Sequence, residues 1–402
     1  MPHFIEPTFP QDLLKATREK RIAYFATKGV AHDAIVHAYE LAKDNIDFGT
    51  QGAIIPIVGP TGVGTSRLGY NLWHYYQTKG EKEFGTAATH RTRYSIGVTA
   101  TTQNGKIDRN YWKSLMKAIL DSGGDILIDN KICAPSSQFM LTHPAPWGDP
   151  SRYDLETLMK CVVHLLKMRK TKVLLINQAD RMFPDGDPGG CRMSQQILTD
   201  LAAQITSRIV LIGNYGLVRE SARGLDWFQR QLIVHFRRYD KRDCDELAAF
   251  VAAIEVLLGS MVLNDDQRMR KINLSDAEQI YNRCIGGFGG CKPPFEMAYS
   301  HALSTGEKIT TELLMRFMSP VKAAKKIAID ALEGEQILMD EDDNSLAKLL
   351  EYGKATGSES QSSTATTCAT KPARSAGGWK KPRIGERKPT RDPVGAAYAL
   401  RD

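Results

Sequence analysis

Short apolar runs alternate with amphipathic stretches through the first 240 residues, and beyond that point only helical spacing continues. The run at 54–58 (Ile-Ile-Pro-Ile-Val) meets a glycine-rich turn, and Leu68, Leu72 and Tyr75 then recur at helical spacing. Strand patterns follow at 93–101, 172–177, 207–214 and 232–236, with amphipathic helices between them at 108–120, 154–168 and 193–204. A helix over 32–43 precedes the first strand, with Ile35, Ala38, Tyr39 and Leu41 near one side. The run Val173-Leu-Leu-Ile176 is unbroken by polar residues, as in a parallel strand covered on both faces. After residue 240 come helices at 244–258, 275–284, 294–303, 311–318 and 321–332. Ser275-Asp-Ala-Glu278 reads as a capping box and 285–293 as a sharp glycine-rich turn. The pattern predicts an α/β fold: a parallel sheet flanked by helices, with a C-terminal helical lid. The expected divisions are an N-terminal helical extension (1–50), an α/β core (51–240), a helical lid (241–353) and a basic tail (354–402).

Strand, glycine loop and helix in that order form a phosphate cradle, because successive backbone N–H groups and the positive end of the helix converge on one anion. The loop is Gly59-Pro60-Thr61-Gly62-Val63-Gly64-Thr65-Ser66, with Arg67 next. Against the pattern Gly-x-x-x-x-Gly-Lys-Ser/Thr, the two end glycines and Ser66 fit, while Thr65 stands at the lysine position. Ser66 keeps a hydroxyl for Mg2+; the fixed cation is missing. Losing one charge-assisted hydrogen bond weakens triphosphate binding by roughly ten- to a hundredfold. A glycine-rich turn that holds no nucleotide is the alternative.

The strand at 172–177 should end in Asp-Glu in a phosphate-loop ATPase, the aspartate orienting Mg2+ and the glutamate activating water. Here it ends in Asn177 and Gln178, isosteric and uncharged. A neutral amide is no general base, so these two positions are degenerate catalytic residues. A rival strand at 125–129 does end in an acid, Asp129. Asn214 closes the next strand, where ligand contacts gather in open α/β sheets; it is either a γ-phosphate sensor or the cap of a turn. Arg230 is an arginine-finger candidate or a surface cation, and Lys292 could reach the nucleotide from the lid.

Composition changes this picture in one place. The net charge is +7, and the tail from residue 354 carries ten Lys/Arg against four Asp/Glu, so nearly all of the excess sits there. The tail is Ser/Thr-rich, then basic with a lone Trp379, too poor in apolar residues to order itself. It is a partner-docking tether or a solubilising tail. Arg91, Arg93, Lys106 and Arg109 lie in or beside loops and are candidate contacts to a DNA backbone, or ordinary surface. The seven cysteines lack zinc-ligand spacing, and no apolar run is long enough for a bilayer or a signal peptide, so a cytoplasmic protein with no membrane contact is expected.

The order of the phosphate loop, Asn177-Gln-Ala-Asp-Arg181, Leu211-Ile-Gly-Asn-Tyr215, His235-Phe-Arg-Arg-Tyr239, a lid with Gly286-Gly-Phe-Gly289 and a basic tail resembles the AAA+ regulators of DNA transposition, the TnsC/TniB group of transposons, CRISPR-associated ones included. The resemblance covers residues 54–303. It implies an AAA+ P-loop core that binds ATP with Mg2+ and assembles as a homo-oligomeric ring or filament on double-stranded DNA. It further implies a targeting protein as partner, and transposase subunits recruited through the tail. It would assign nucleotide cradling to Gly59, Gly64, Thr65 and Ser66, sensing to Asn214, a contact in trans to Arg230, and DNA contact to loop cations such as Lys106 and Arg109. The departures at Thr65, Asn177 and Gln178 make a non-hydrolysing scaffold the leading expectation. A DNA-stimulated ATPase that draws its charge from Lys292, Arg67, Asp180 or Asp129 is one alternative, and a nucleotide-free adaptor of AAA+ shape is the other.

Overall fold

The strands at 54–58, 173–177 and 208–213 carry apolar residues on both faces, so each is stable only as part of an inner layer. In the computed structural model, residues 5, 7–85, 92–101, 106–124, 154–219, 232–269 and 271–339 are described. A 3-10 turn at Gln11–Lys15 leads into α1 (Arg18–Thr27), α2 (Asp33–Phe48), β1 (Ile54–Val58), α3 (Thr65–Phe84), β2 (Ser95–Thr99) and α4 (Arg109–Ser122). Then come α5 (Leu155–Met168), β3 (Val173–Asn177), α6 (Pro188–Gln204), β4 (Arg208–Gly213), the single turn α7 (Gly216–Arg219) and β5 (Val234–His235). The helical part comprises α8 (Cys244–Gly259), α9 (Leu274–Cys284), α10 (Lys292–Thr305), α11 (Thr311–Phe317) and α12 (Val321–Ile337).

The sheet is wholly parallel, in the order β2-β3-β4-β1-β5. Strand alternation divides its side chains between two cores. Ile55, Ile57, Leu175, Val210 and Ile212 face α2 and α3, whereas Ile54, Val58, Ile96, Ile176 and Leu211 face the side covered by α4, α5 and α6. Each such side chain, fully buried, contributes about 1.5–3 kcal/mol. The α/β architecture expected from the pattern, a parallel sheet flanked by helices and followed by a helical part, is the one observed.

Several boundaries move for local reasons. The fifth strand is two residues long where five were expected. Ile54 and Val58 turn their carbonyls to Leu232 and Phe236, so alternation also turns Pro56 to that edge, where proline offers no N–H to a longer partner. Helix α6 starts earlier than expected, at Pro188, because the Asp187 carboxylate accepts the Gly190 N–H at 2.9 Å and proline suits a first helical turn. The cap of α9 is Asn273, whose side chain accepts the Asp276 N–H at 2.8 Å. Ser275 therefore lies inside the first turn and does not cap.

The first fifty residues divide between two cores. Ile35, Ala38, Ala42 and Ile46 of α2 pack on the sheet, while Ile5, Phe9 and Phe25 pack into the lid with Phe250, Phe295 and Tyr299. The Thr8 N–H donates to the Gly259 carbonyl at 2.9 Å, fastening the lead-in to the end of α8. Helix α12 then returns to the core: Arg219 meets Asp330 at 2.8 Å and Glu333 at 3.1 Å, and Arg238 meets Glu335 at 2.8 Å. Gly334 is what lets it come so close, since a Cβ there would stand 2.0 Å from the Tyr215 ring.

Candidate functional site

The glycine loop leaves β1 at the carboxyl edge of the sheet and enters α3. Gly62 (φ +90°) and Gly64 (φ +117°) hold backbone conformations that L side chains rarely adopt. Gly59 is small for a different reason: a Cβ there would stand 2.4 Å from the Phe236 carbonyl oxygen at the end of β5. Pro60 and Val63 are buried and Thr61 is exposed, while the Val63 N–H closes the loop on the Pro60 carbonyl at 3.1 Å. Thr65 opens the helix in a half-buried position.

Because β4 lies between β1 and β3, its end at Gly213 sits beside Val58, and Ile212 pairs with Asn177. This crossing brings the loop, Asn177 and Asn214 to one edge. The Ser66 hydroxyl donates to the Asn177 amide oxygen at 3.4 Å. A cavity of 330 Å³ beside this pair is lined by Gly69, Trp73, Gly97, Thr99 and others, with no carboxylate among its described lining residues. Magnesium is usually held by one or two carboxylates together with substrate phosphates, and Ser66 and Asn177 supply only neutral oxygens. Gln178 takes the left-handed conformation (φ +54°), unusual for a residue with a side chain.

Asn214 serves as a turn cap here: its side-chain oxygen accepts the Gly216 N–H at 2.9 Å. Its backbone N–H donates to the Asp180 carboxylate at 3.4 Å. Burial raises the Asp180 pKa, and the Asn214 N–H partly offsets the shift. Asp180 therefore serves the turn after β4.

On the other flank of the loop, a cavity of 340 Å³ lies between residues 26–32, the loop and the lid. Three cations line it, Lys28, Arg67 and Lys292, against one carboxylate, Glu296. The Lys292 ammonium donates to the Ala26 carbonyl at 2.7 Å and also to the Lys28 carbonyl. Burial, and then the charge of Arg67, lower its pKa. The lid supplies the roof: a Cβ on Gly289 would stand 2.9 Å from the Gly62 carbonyl oxygen and 3.1 Å from the Gly64 nitrogen. His32 forms part of the wall, its Nδ1 3.0 Å from the Tyr239 hydroxyl and its ring 4.7 Å from that of Phe288. Burial depresses the His32 pKa to about 4, so the ring is neutral near pH 7.

Among the described candidate DNA cations, Arg93 lies apart from Lys106 and Arg109. Arg93 precedes β2 at the amino edge of the sheet, while Lys106 and Arg109 follow it beyond the carboxyl edge. The five-residue strand separates the two by about 16 Å. Arg109 also borders a cavity with Asp154, Glu156 and Asp200, an acidic setting that opposes a phosphate. Arg91, Arg230, Asp129 and the tail from 354 lie outside the described residues.

Sequence reasoning missed Lys28, His32 and Glu296 as wall residues. The tight Gly286-Gly-Phe-Gly289 run was the one signal pointing there, since repeated glycine marks close backbone approach, though not to which partner. Among the described residues no helix is long and apolar enough to cross a membrane, and no cluster of His, Cys, Asp and Glu could hold a metal ion.

No protein-family model matches the chain, and no curated protein matches it. Among solved structures it is similar to the ORC2 protein of Aeropyrum pernix, determined as ADPNP and ADP complexes, at 12% identity over 74% of this chain and 71% of that one, with TM-score 0.46. A Walker-type ATPase of Pyrococcus abyssi matches at 13% identity over 82% and 81% of the two chains, TM-score 0.40. Domain III of the replication initiation protein DnaA of Thermotoga maritima matches at 11% identity over 73% of this chain and 95% of that one, TM-score 0.40.

Proposed function

We propose that this chain is an AAA+-type nucleotide-binding scaffold that assembles on DNA as an oligomer and regulates transposition, with ATP hydrolysis impaired. The observation that carries the nucleotide part is the conjunction at one sheet edge of a positive-φ glycine loop, a helix start and a cation-lined cavity roofed by the lid. The impairment rests on chemistry. Thr65 supplies no fixed charge, and Asn177 and Gln178 cannot accept a proton from water at neutral pH. The transposition reading, with its targeting protein and transposase partners, rests on the resemblance of residues 54–303 to the TnsC/TniB group. Ring or filament assembly, DNA contact through Lys106 or Arg109, a contact in trans from Arg230 and recruitment through the tail belong to the same proposal.

The test is ATP binding and phosphate release measured on one full-length sample, with and without double-stranded DNA. The comparison protein carries Thr65→Lys, Asn177→Asp and Gln178→Glu. Binding without turnover in the natural chain, with turnover gained in the restored one, is expected. DNA-stimulated turnover in the natural chain overturns the scaffold reading. Absence of nucleotide binding in both overturns the nucleotide reading itself.

A further inference from the structure

The two sides of the glycine loop differ in charge, and that difference decides how a bound phosphate chain would be neutralised. On the Ser66 side the oxygens are a hydroxyl and the amide oxygen it donates to, 3.4 Å apart, in a cavity with no carboxylate among its described lining residues. Asp180, a half-buried acid three residues after Asn177, accepts the Asn214 N–H. A magnesium ion there would give up water for neutral oxygens only, a poor exchange for a hard, strongly hydrated cation. On the opposite side, among the described lining residues, Lys28, Arg67 and Lys292 outnumber Glu296, a net charge of +2 beside Val63 and Gly64.

We infer that the chain binds nucleotide as the metal-free anion, its phosphates neutralised by Arg67 and Lys292 in place of both the absent loop lysine and a protein-held Mg2+. The inference rests on the nucleotide-binding reading above and concerns how that same site handles charge. Arg67 is the freer of the two cations. Its guanidinium lies against Gly29, where a Cβ would stand 2.9 Å from Nη2, and over the Tyr70 ring at 5.5 Å, and among the described residues it forms no ion pair with a carboxylate. Lys292 already gives two of its three N–H bonds to the Ala26 and Lys28 carbonyls. It therefore ties residues 26–28 to the lid and has one donor left for an anion. Asn at position 177 is consistent with this arrangement, because a carboxylate there without a metal would repel the phosphates.

The experiment is calorimetric titration of the full-length protein with ATP, once in excess Mg2+ and once in EDTA. The expected result is tighter binding in EDTA than in excess Mg2+, because Mg2+ in solution claims the ATP phosphates and leaves little of the metal-free anion, together with about tenfold weaker binding in EDTA for Arg67→Gln. Lys326→Gln, on the exposed face of α12, controls for net charge and should bind as the natural chain does. Asn177→Asp should bind about tenfold more weakly in EDTA than in Mg2+, because it adds the missing metal ligand and an uncompensated charge. Since Lys292→Gln also releases the 26–28 segment, Arg67→Gln is the deciding variant. Binding in Mg2+ that EDTA abolishes overturns the inference and leaves the nucleotide reading standing. Metal-independent binding unaffected by Arg67→Gln overturns the assignment of the charge to that side chain. Absence of binding in both buffers overturns the nucleotide reading and the inference with it.

Discussion

Gly289 of the lid turn and Gly62 of the phosphate loop approach so closely that a Cβ on the former would stand 2.9 Å from the carbonyl oxygen of the latter. Gly289 is not among the positive-φ glycines, so alanine fits its backbone and only the contact is lost. Gly289→Ala should push the lid turn off the loop, costing about 1–3 kcal/mol and weakening ATP binding. Gly306→Ala meets nothing within 4 Å but sits at φ +76°, so it should cost about 1 kcal/mol and leave ATP affinity alone. Urea denaturation and ATP titration of the two variants separate the effects.

Arg238 and Glu335 form a two-point ion pair, Nε to Oε1 at 2.8 Å and Nη2 to Oε2 at 3.0 Å, with side chains only 12% and 23% exposed. Burial works against the guanidinium charge, but the Glu335 carboxylate outweighs it and raises the pKa. Arg238→Ala strands that carboxylate and takes one donor from the Tyr281 hydroxyl, which keeps the Tyr239 carbonyl and the Lys241 N–H, so unfolding free energy should fall by about 2 kcal/mol. A double-mutant cycle with Glu335→Ala should return a coupling well above that of the exposed Lys160–Glu156 pair, where no measurable change is expected.

His32 supplies a pH dependence whose sign is fixed. Its folded pKa of about 4 lies below the unfolded value near 6.5, so the unfolded chain binds more protons between them. Its contribution is complete above about pH 6.5 and falls away as the pH drops through about 4, by roughly 3 kcal/mol in all. His235, also depressed to about 4 by burial and by Arg237, adds a slope of the same sign. His32→Phe should flatten part of the loss of stability seen by denaturation between pH 6.5 and 4.5. An unchanged slope would rule His32 out as its source.

Asn214 faces two requirements that substitution can divide. Its oxygen caps the Gly216 N–H, a role aspartate also fills, whereas its amide N–H groups could serve a phosphate. Asn214→Ala should therefore cost about 1 kcal/mol of stability. Asn214→Asp should keep that stability while weakening ATP binding through repulsion. Equal ATP affinity in the aspartate variant and the natural chain would leave Asn214 as a structural cap alone.

What the sequence determined by itself is whatever its local pattern encodes. The apolar runs and helical spacing placed β1 to β4 and α8 to α12 near their observed positions, because strand and helix periods are properties of neighbouring residues. The glycine loop was legible for the same reason: its three glycines, Thr65 and Ser66 are contiguous, and so are Asn177 and Gln178. Tertiary structure alone decided which distant groups share the site. Insertion of β4 between β1 and β3 sets Asn177 and Asn214 beside the loop, and no periodicity records strand order. The lid fold brings Gly289 onto Gly62 across more than two hundred residues and turns Lys292 to the Ala26 carbonyl. Parallel pairing sends Arg93 and Lys106 to opposite edges although they are thirteen residues apart. Such contacts depend on the whole chain's burial of its apolar faces, and a local stretch of sequence carries no trace of them.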